Sequence, residues 1–189
     1  MKRKLWVTGF CLFMISAFAV APASAASLAF QSQGLTTPAY QWWYGCSPTS
    51  AGMMMGYYDR NGYDGKTYNN LIPGGVAEMV STQAGNTLAE AAIASPGHIA
   101  AFYRNGYGGS GDDIPRVGSF NSLADFMGTN QDAVGNTNGS TTFYFWTDGS
   151  PFTAANALTY GIQDKDGMYG ITEYVQYEGY KVSAAYTQL

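Results

Sequence analysis

The apolar positions divide the chain into one long apolar run near the N-terminus and a mixed remainder. The run from Leu5 to Val20 follows three basic residues, Lys2 to Lys4, and is followed by Ala23-Ser24-Ala25. A run of about 16 residues is too short for a bilayer-spanning helix, which needs roughly 20. A basic start, an apolar run and a small-residue cleavage pattern are typical of a secretory signal peptide. The sequence therefore predicts that residues 1–25 are removed on export and that residues 26–189 form one domain.

Beyond residue 25 the pattern predicts more helices than strands. Ser47 is positioned to cap the first helix, and Pro48 fits its first turn. Apolar residues at helical spacing predict helices over Ser47 to Tyr58, Val76 to Gln83, Thr87 to Ala94, Ser122 to Met127, Thr153 to Tyr160 and Met168 to Tyr177, with a further one starting near Pro96. Strands are predicted at Thr142 to Trp146 and Lys181 to Thr187, the second without an obvious partner. The chain shows no repeat and no linker, which indicates a single α+β domain.

The charge balance excludes several kinds of partner. Removal of the signal takes three of the nine basic residues and none of the thirteen acidic ones, which leaves a net charge of about −7. Nucleic acid and anionic lipid are bound by clustered Lys and Arg, so neither is an expected partner. Two Asp-containing turns, at 59–62 and 164–167, lack the ligand set of a calcium loop. No cofactor and no metal are therefore predicted.

One cysteine remains after the signal is removed. Cys11 leaves with the signal, whereas Cys46 stays in a compartment where cysteines usually pair as disulfides. A single thiol there is a liability, a cross-link to another chain or a working thiol. Cys46 precedes a predicted helix, whose first N–H groups and dipole stabilise a thiolate. Gly45 allows a substrate backbone to approach, and the Gln41 amide with the Cys46 N–H could form a two-donor oxyanion pocket.

Gln41 precedes the run Tyr44-Gly45-Cys46-Ser47-Pro48-Thr49-Ser50-Ala51, which leads into a predicted helix. This segment resembles the papain-like cysteine peptidases. It is most similar to the C39-like branch found in bacterial exported proteins. The stretches 95–100, 122–127 and 170–180 are similar to the same group, so the resemblance covers most of the exported chain. It implies a papain-like α+β fold whose helix-rich lobe carries the nucleophile. It also implies Cys46 as nucleophile, Gln41 as oxyanion donor, a thioester intermediate and a peptide or protein substrate.

The general base is missing from its expected place. In the family that this chain resembles, the base is a histidine on a strand-rich lobe that follows the helical lobe. The one histidine here, His98, lies in the helical half, so it matches that position poorly although it is the one candidate base in the sequence. The resemblance therefore predicts that residues 26–189 are the Cys-bearing lobe of a longer protein, truncated before the base. Low or absent activity of this chain alone is the expectation.

Two other functions stay open on the sequence. A secreted binding or inhibitory module could retain the lobe after losing the catalytic site, and Cys46→Ser would then leave partner binding intact. Papain-like lobes also serve amidases and transferases, and the sequence offers no specificity pocket that separates these from peptidases. Every one of these hypotheses places the protein outside the cytoplasm, in the periplasm or the medium, without membrane attachment after signal cleavage. The oligomeric state is open.

Overall fold

The computed structural model describes residues 5–8, 37–41, 45–81, 87–99 and 120–189. Its strands are β1 (Leu5–Thr8), β2 (Ala39–Tyr40), β3 (Val80–Ser81), β4 (Phe143–Trp146), β5 (Phe152–Thr153) and β6 (Tyr186–Thr187). Its α-helices are α1 (Cys46–Asn61), α2 (Leu88–Ile93), α3 (Leu123–Phe126), α4 (Ala154–Thr159) and α5 (Gly167–Tyr177), with 3-10 turns at Asp132–Val134 and Gln163–Lys165. Residues 96–99 are also helical. The described part is a helix-rich α+β structure with short strands, as predicted.

α1 is the longest described helix, and α2, α3 and α5 pack against it. Ala51 and Met55 on its buried side belong to a core cluster that also holds Tyr174 of α5. Gly52 faces α2, where an added Cβ would lie 2.5 Å from Ile93 Cγ1. Because glycine has no side chain, α1 and α2 can approach closely at this point.

α5 is held against the rest of the core along its whole length. Asp166 caps its N-terminus through its side chain. In the middle of the helix, a Cβ on Gly170 would lie 2.5 Å from Met127 Cα, so only glycine fits against the end of α3. Tyr174 is fully buried, and its hydroxyl donates to the Leu71 carbonyl oxygen at 2.8 Å. These contacts fix the position of α5 relative to α1.

The strands form three two-stranded ladders. β1 pairs with β4 and β5 pairs with β6, both antiparallel, whereas β2 and β3 are parallel. β1 is the described part of the predicted signal segment. Behind β4 and β5 lies a separate apolar cluster that consists of Tyr144, Trp146, Phe152, Ala157, Ile162 and Met168. None of the helices in the described part of the chain has the length and apolar character that a membrane crossing requires.

The predicted helix from Val76 to Gln83 is wrong over the residues that the structure describes. This segment is irregular up to β3. Its backbone groups are bonded to other elements: the Ala77 N–H donates to Asp59 Oδ1 at 2.9 Å, and the Glu78 carbonyl accepts from the Tyr40 hydroxyl at 2.9 Å. Those groups therefore cannot form the backbone hydrogen bonds of a helix. Tertiary contacts override the local helix propensity of this segment.

The final strand differs from its prediction in both length and pairing. Only Tyr186–Thr187 is a strand, whereas the sequence predicts one from Lys181 onward. It has a partner, since Phe152 pairs with Thr187 and Thr153 with Tyr186. The Thr187 hydroxyl also donates to the Tyr144 carbonyl oxygen, which ties the C-terminal segment to β4. The expectation of an unpaired final strand is thus wrong. The other predicted helices of the described part are present with shifted ends.

Candidate functional site

The residue before α1 has a backbone conformation and close contacts that favour glycine. Gly45 is buried and serves as the N-cap, with φ 138° and ψ 142°, a conformation that L side chains rarely adopt. A Cβ at this position would lie 2.7 Å from Thr129 Cγ2 and 3.1 Å from the Gly139 carbonyl oxygen. Close packing at Gly45 therefore fixes the residue that immediately precedes Cys46, the first residue of the helix.

The first turn of α1 is tied back to the same glycine. The Thr49 hydroxyl donates to the Gly45 carbonyl oxygen at 2.8 Å, and the Thr49 N–H points to it at 3.4 Å. Pro48 lies in this turn, where its missing N–H costs no helical bond. Ser47 also lies within the turn, so its predicted capping role is wrong and Gly45 provides the cap without a side chain. Cys46 is exposed at a well-defined helix N-terminus, where orphan N–H groups favour negative charge.

A buried polar loop supports the turn from behind. Asn130 has φ 53° and is almost fully buried. Its N–H donates to the Ser140 carbonyl at 3.0 Å, and its side-chain oxygen accepts from the Gly139 N–H at 2.8 Å. The Thr129 and Thr141 hydroxyls lie 2.7 Å apart in a further hydrogen bond. Gly45 packs on this loop, so the loop sets the position of Cys46, the residue that follows Gly45.

Cys46 opens on a groove between α1, β4 and α5. The groove has a volume of about 330 Å³, and the described residues that line it are Cys46, Ser47, Ser50, Ala51, Met54, Phe143 and Ile171. Phe143 is held by the start of α5, where a Cβ on Gly167 would lie 2.6 Å from its ring. The side chains around the thiol are small, hydroxylic or apolar.

Gln41, the predicted oxyanion donor, follows β2 directly and is exposed. β2 itself is fixed beside α1, because the Tyr40 hydroxyl packs on Gly56. Residues 42–44, which connect Gln41 to Gly45, lie outside the described residues. The contact expected between the Gln41 amide and the turn at Cys46 therefore stays a prediction.

His98, the candidate base, lies in a different environment from Cys46. Its side chain is 1 % exposed, and its Nδ1 is 3.4 Å from Asp125 Oδ1. Asp125 also accepts from the Ser95 hydroxyl at 3.1 Å and from the Ser122 hydroxyl at 2.6 Å. His98 is not among the described residues that line the groove beside Cys46. The structure places His98 in a buried polar cluster with Asp125 and does not bring it to the thiol.

Asp166, in the second of the two acidic turns, forms hydrogen bonds within the fold. Its carboxylate is buried and accepts from the backbone N–H groups of Tyr144 and Tyr169, both at 3.3 Å. Burial raises the pKa of this carboxyl to about 6, with the two hydrogen bonds acting in the opposite direction. No group of acidic, His or Cys side chains within the described ranges could hold a metal ion. The turn thus links β4 to the start of α5.

The sequence does not reveal the supporting residues of this site. Thr129, Asn130 and Phe143 are about 80 to 100 positions from Gly45 along the chain, a separation at which local patterns carry no pairing information. One signal was available for the buried cluster. Ser122 and Asp125 have capping-box spacing, and both side chains form that box at the start of α3.

Comparison with known proteins found no matching family model, no matching curated protein and no matching solved structure.

Proposed function

We propose that this chain carries the nucleophile of an exported cysteine-type hydrolase of papain-like, C39-like type, which acts on peptide or amide bonds. The observation that supports this most is the exposed Cys46 thiol at the start of α1, directly after a residue whose conformation and close packing favour glycine. A nucleophile needs a fixed position and access to substrate, and this turn supplies both.

The proposed reaction has two steps. The Cys46 sulfur attacks the substrate carbonyl carbon, a C–S bond forms, and the C–N bond breaks as the amine leaves with a proton. Water then cleaves the thioester, which releases the carboxylic acid and restores the thiol. The Cys46 N–H and the Gln41 amide are the proposed oxyanion donors.

The proton acceptor in this scheme lies outside the described residues. His98 is unsuited to the task because its ring is buried and faces Asp125, whereas a base must lie within hydrogen-bond reach of the group that it deprotonates. The proposal therefore assigns the base to another segment or to a partner chain. Acylation of Cys46 by activated acyl groups is expected to be faster than subsequent turnover.

A secreted binding or inhibitory module is the second candidate. It is favoured by the groove beside Cys46, since none of the described lining residues is a carboxylate or an imidazole. In this case Cys46 would be a remnant, and Cys46→Ser would change neither folding nor partner binding.

A p-nitrophenyl ester of a short acyl group separates the two candidates. For the exported chain, the hydrolase proposal predicts a burst of about one equivalent of nitrophenolate followed by slow turnover. Cys46→Ser should abolish the burst, whereas Ser183→Ala, at a position in the C-terminal segment, should leave it intact. The absence of a burst, or a burst that survives in Cys46→Ser, would contradict the hydrolase proposal and favour the binding module.

A further inference from the structure

One wall of the groove beside the thiol is a stripe along α1. Cys46, Ser50 and Met54 are spaced four residues apart, so they lie one above the other on the same helix face. All three are exposed, and Met54 is 50 % exposed. The opposite face of α1 is buried against the core. The stripe therefore presents a thiol at one end and an apolar side chain about two turns away.

The facing wall is apolar as well. Phe143 comes from β4 and Ile171 from α5, and both are half-buried. The same two residues also line a second, larger cavity of about 430 Å³ toward the C-terminal segment, whose other described lining residues include Met168, Val175 and Val182. The apolar surface is thus continuous from the thiol along α5. The described lining of both cavities carries no charged side chain.

We propose that this groove is a specificity site that holds an apolar side chain of the acyl group attacked by Cys46. The inference rests on the proposed function, because it places the side chain next to the carbonyl carbon that forms the thioester. The sulfur is part of the groove wall, so a side chain that fills the groove keeps the adjacent carbonyl beside the nucleophile. A charged side chain would lose hydration there without gaining a partner. The substrate class is therefore an acyl donor with a bulky apolar residue at the reactive carbonyl.

The alkylation rate of Cys46 measures this selectivity without requiring turnover. The two reagents are iodoacetamide and N-benzyl iodoacetamide, both neutral. The rate at which each reagent alkylates Cys46 is divided by the rate at which it alkylates N-acetylcysteine, which removes the reagent's intrinsic reactivity. The normalised rate of the benzyl reagent is expected to be about tenfold higher than that of iodoacetamide. Tenfold is the lower end of what an apolar pocket discriminates. Met54→Glu should remove most of this preference.

A matched control keeps the comparison specific. Leu158→Glu changes an apolar residue of similar exposure on α4, away from the groove, and should retain the full preference. A preference that is absent in the wild-type chain, or equal in both variants, would overturn the specificity site. The ester burst reports separately on the proposed function. A burst without benzyl preference rejects the specificity site alone. A benzyl preference without a burst rejects the hydrolase and, with it, the acyl specificity, and leaves an apolar binding groove beside the thiol.

Discussion

Replacing Gly45 by alanine tests the physical basis of the site. The backbone at Gly45 has φ 138°, and holding a non-glycine residue in such a sparsely populated region costs about 1–3 kcal/mol. The added Cβ would meet Thr129 Cγ2 at 2.7 Å and Pro48 Cδ at 3.1 Å, both buried neighbours. Overpacking of this kind adds about 1–3 kcal/mol. Gly45→Ala is therefore expected to lower the free energy of unfolding by roughly 2–6 kcal/mol.

Gly135→Ala separates the backbone cost from the packing cost. Gly135 has φ 81°, yet a Cβ there would meet nothing within 4 Å. Its replacement should cost only the left-handed conformation, about 1–2 kcal/mol. Urea unfolding of residues 26–189, followed by tryptophan fluorescence, gives both values. The alkylation rate of Cys46 should fall in Gly45→Ala and stay unchanged in Gly135→Ala, because only the first alters the turn that positions the thiol.

A double-mutant cycle identifies the contact responsible. Thr129→Ser removes the methyl group that an alanine at position 45 would strike, but keeps the hydroxyl that bonds to Thr141. The double variant should be less destabilised than the sum of the single variants, by about 0.5–3 kcal/mol. Strict additivity, or equal costs for Gly45→Ala and Gly135→Ala, would refute the claim that close packing fixes this turn.

Three further predictions concern residues away from the thiol. His98→Ala should destabilise the fold by about 2 kcal/mol or more, since removing a buried ring leaves a cavity, yet the pH profile of Cys46 alkylation should not move. The pKa of Asp166 is raised to about 6 in the folded protein and is near 3.9 in the unfolded chain, so the folded state binds the proton more tightly. The stabilising contribution of Asp166 is therefore present below about pH 4 and is lost as the pH rises through 6. Asp166→Asn should remove up to about 3 kcal/mol of that pH dependence in urea titrations. Tyr174→Phe, which removes the bond to the Leu71 carbonyl, should cost about 1–2 kcal/mol in the same assay.

Each of these has an outcome that would count against it. An alkylation profile that shifts when His98 is replaced would mean that the ring reaches the thiol in solution. A stability difference between wild type and Asp166→Asn that does not change between pH 4 and pH 7 would mean that this carboxyl is solvated. A Tyr174→Phe variant as stable as the wild type would mean that the Leu71 carbonyl finds another donor.

The elements that the sequence predicts well are those with strong local signals. Pro48 and the apolar positions after it place a helix at Cys46, and α1 begins within one residue of the expected start. Helices are predicted to start at Thr87 and Thr153, and these residues are the N-caps of α2 and α4. The aromatic run before Trp146 is a strand. Local chemistry decides each of these features, so one sequence is enough.

The features that the sequence misses depend on distant partners. Glu78 lies in a segment with helical spacing, but its carboxylate accepts from the N–H groups of Leu88 and Ala89 and so caps the next helix instead. The facing wall of the groove, Phe143 and Ile171, belongs to elements roughly 100 to 125 residues from Cys46 along the chain. No local pattern pairs such residues. The candidate nucleophile was therefore predictable, whereas its surroundings were not.

The location of a trapped acyl group tests the central claim most directly. A protein of residues 26–189 would be mixed with a p-nitrophenyl ester, quenched in acid to preserve thioesters, digested and mapped by mass spectrometry. The account predicts one acyl group per chain on Cys46, lost on treatment with hydroxylamine and absent in Cys46→Ser. An unmodified Cys46, or acyl groups found only on lysine side chains, would contradict the assignment of this thiol as the nucleophile.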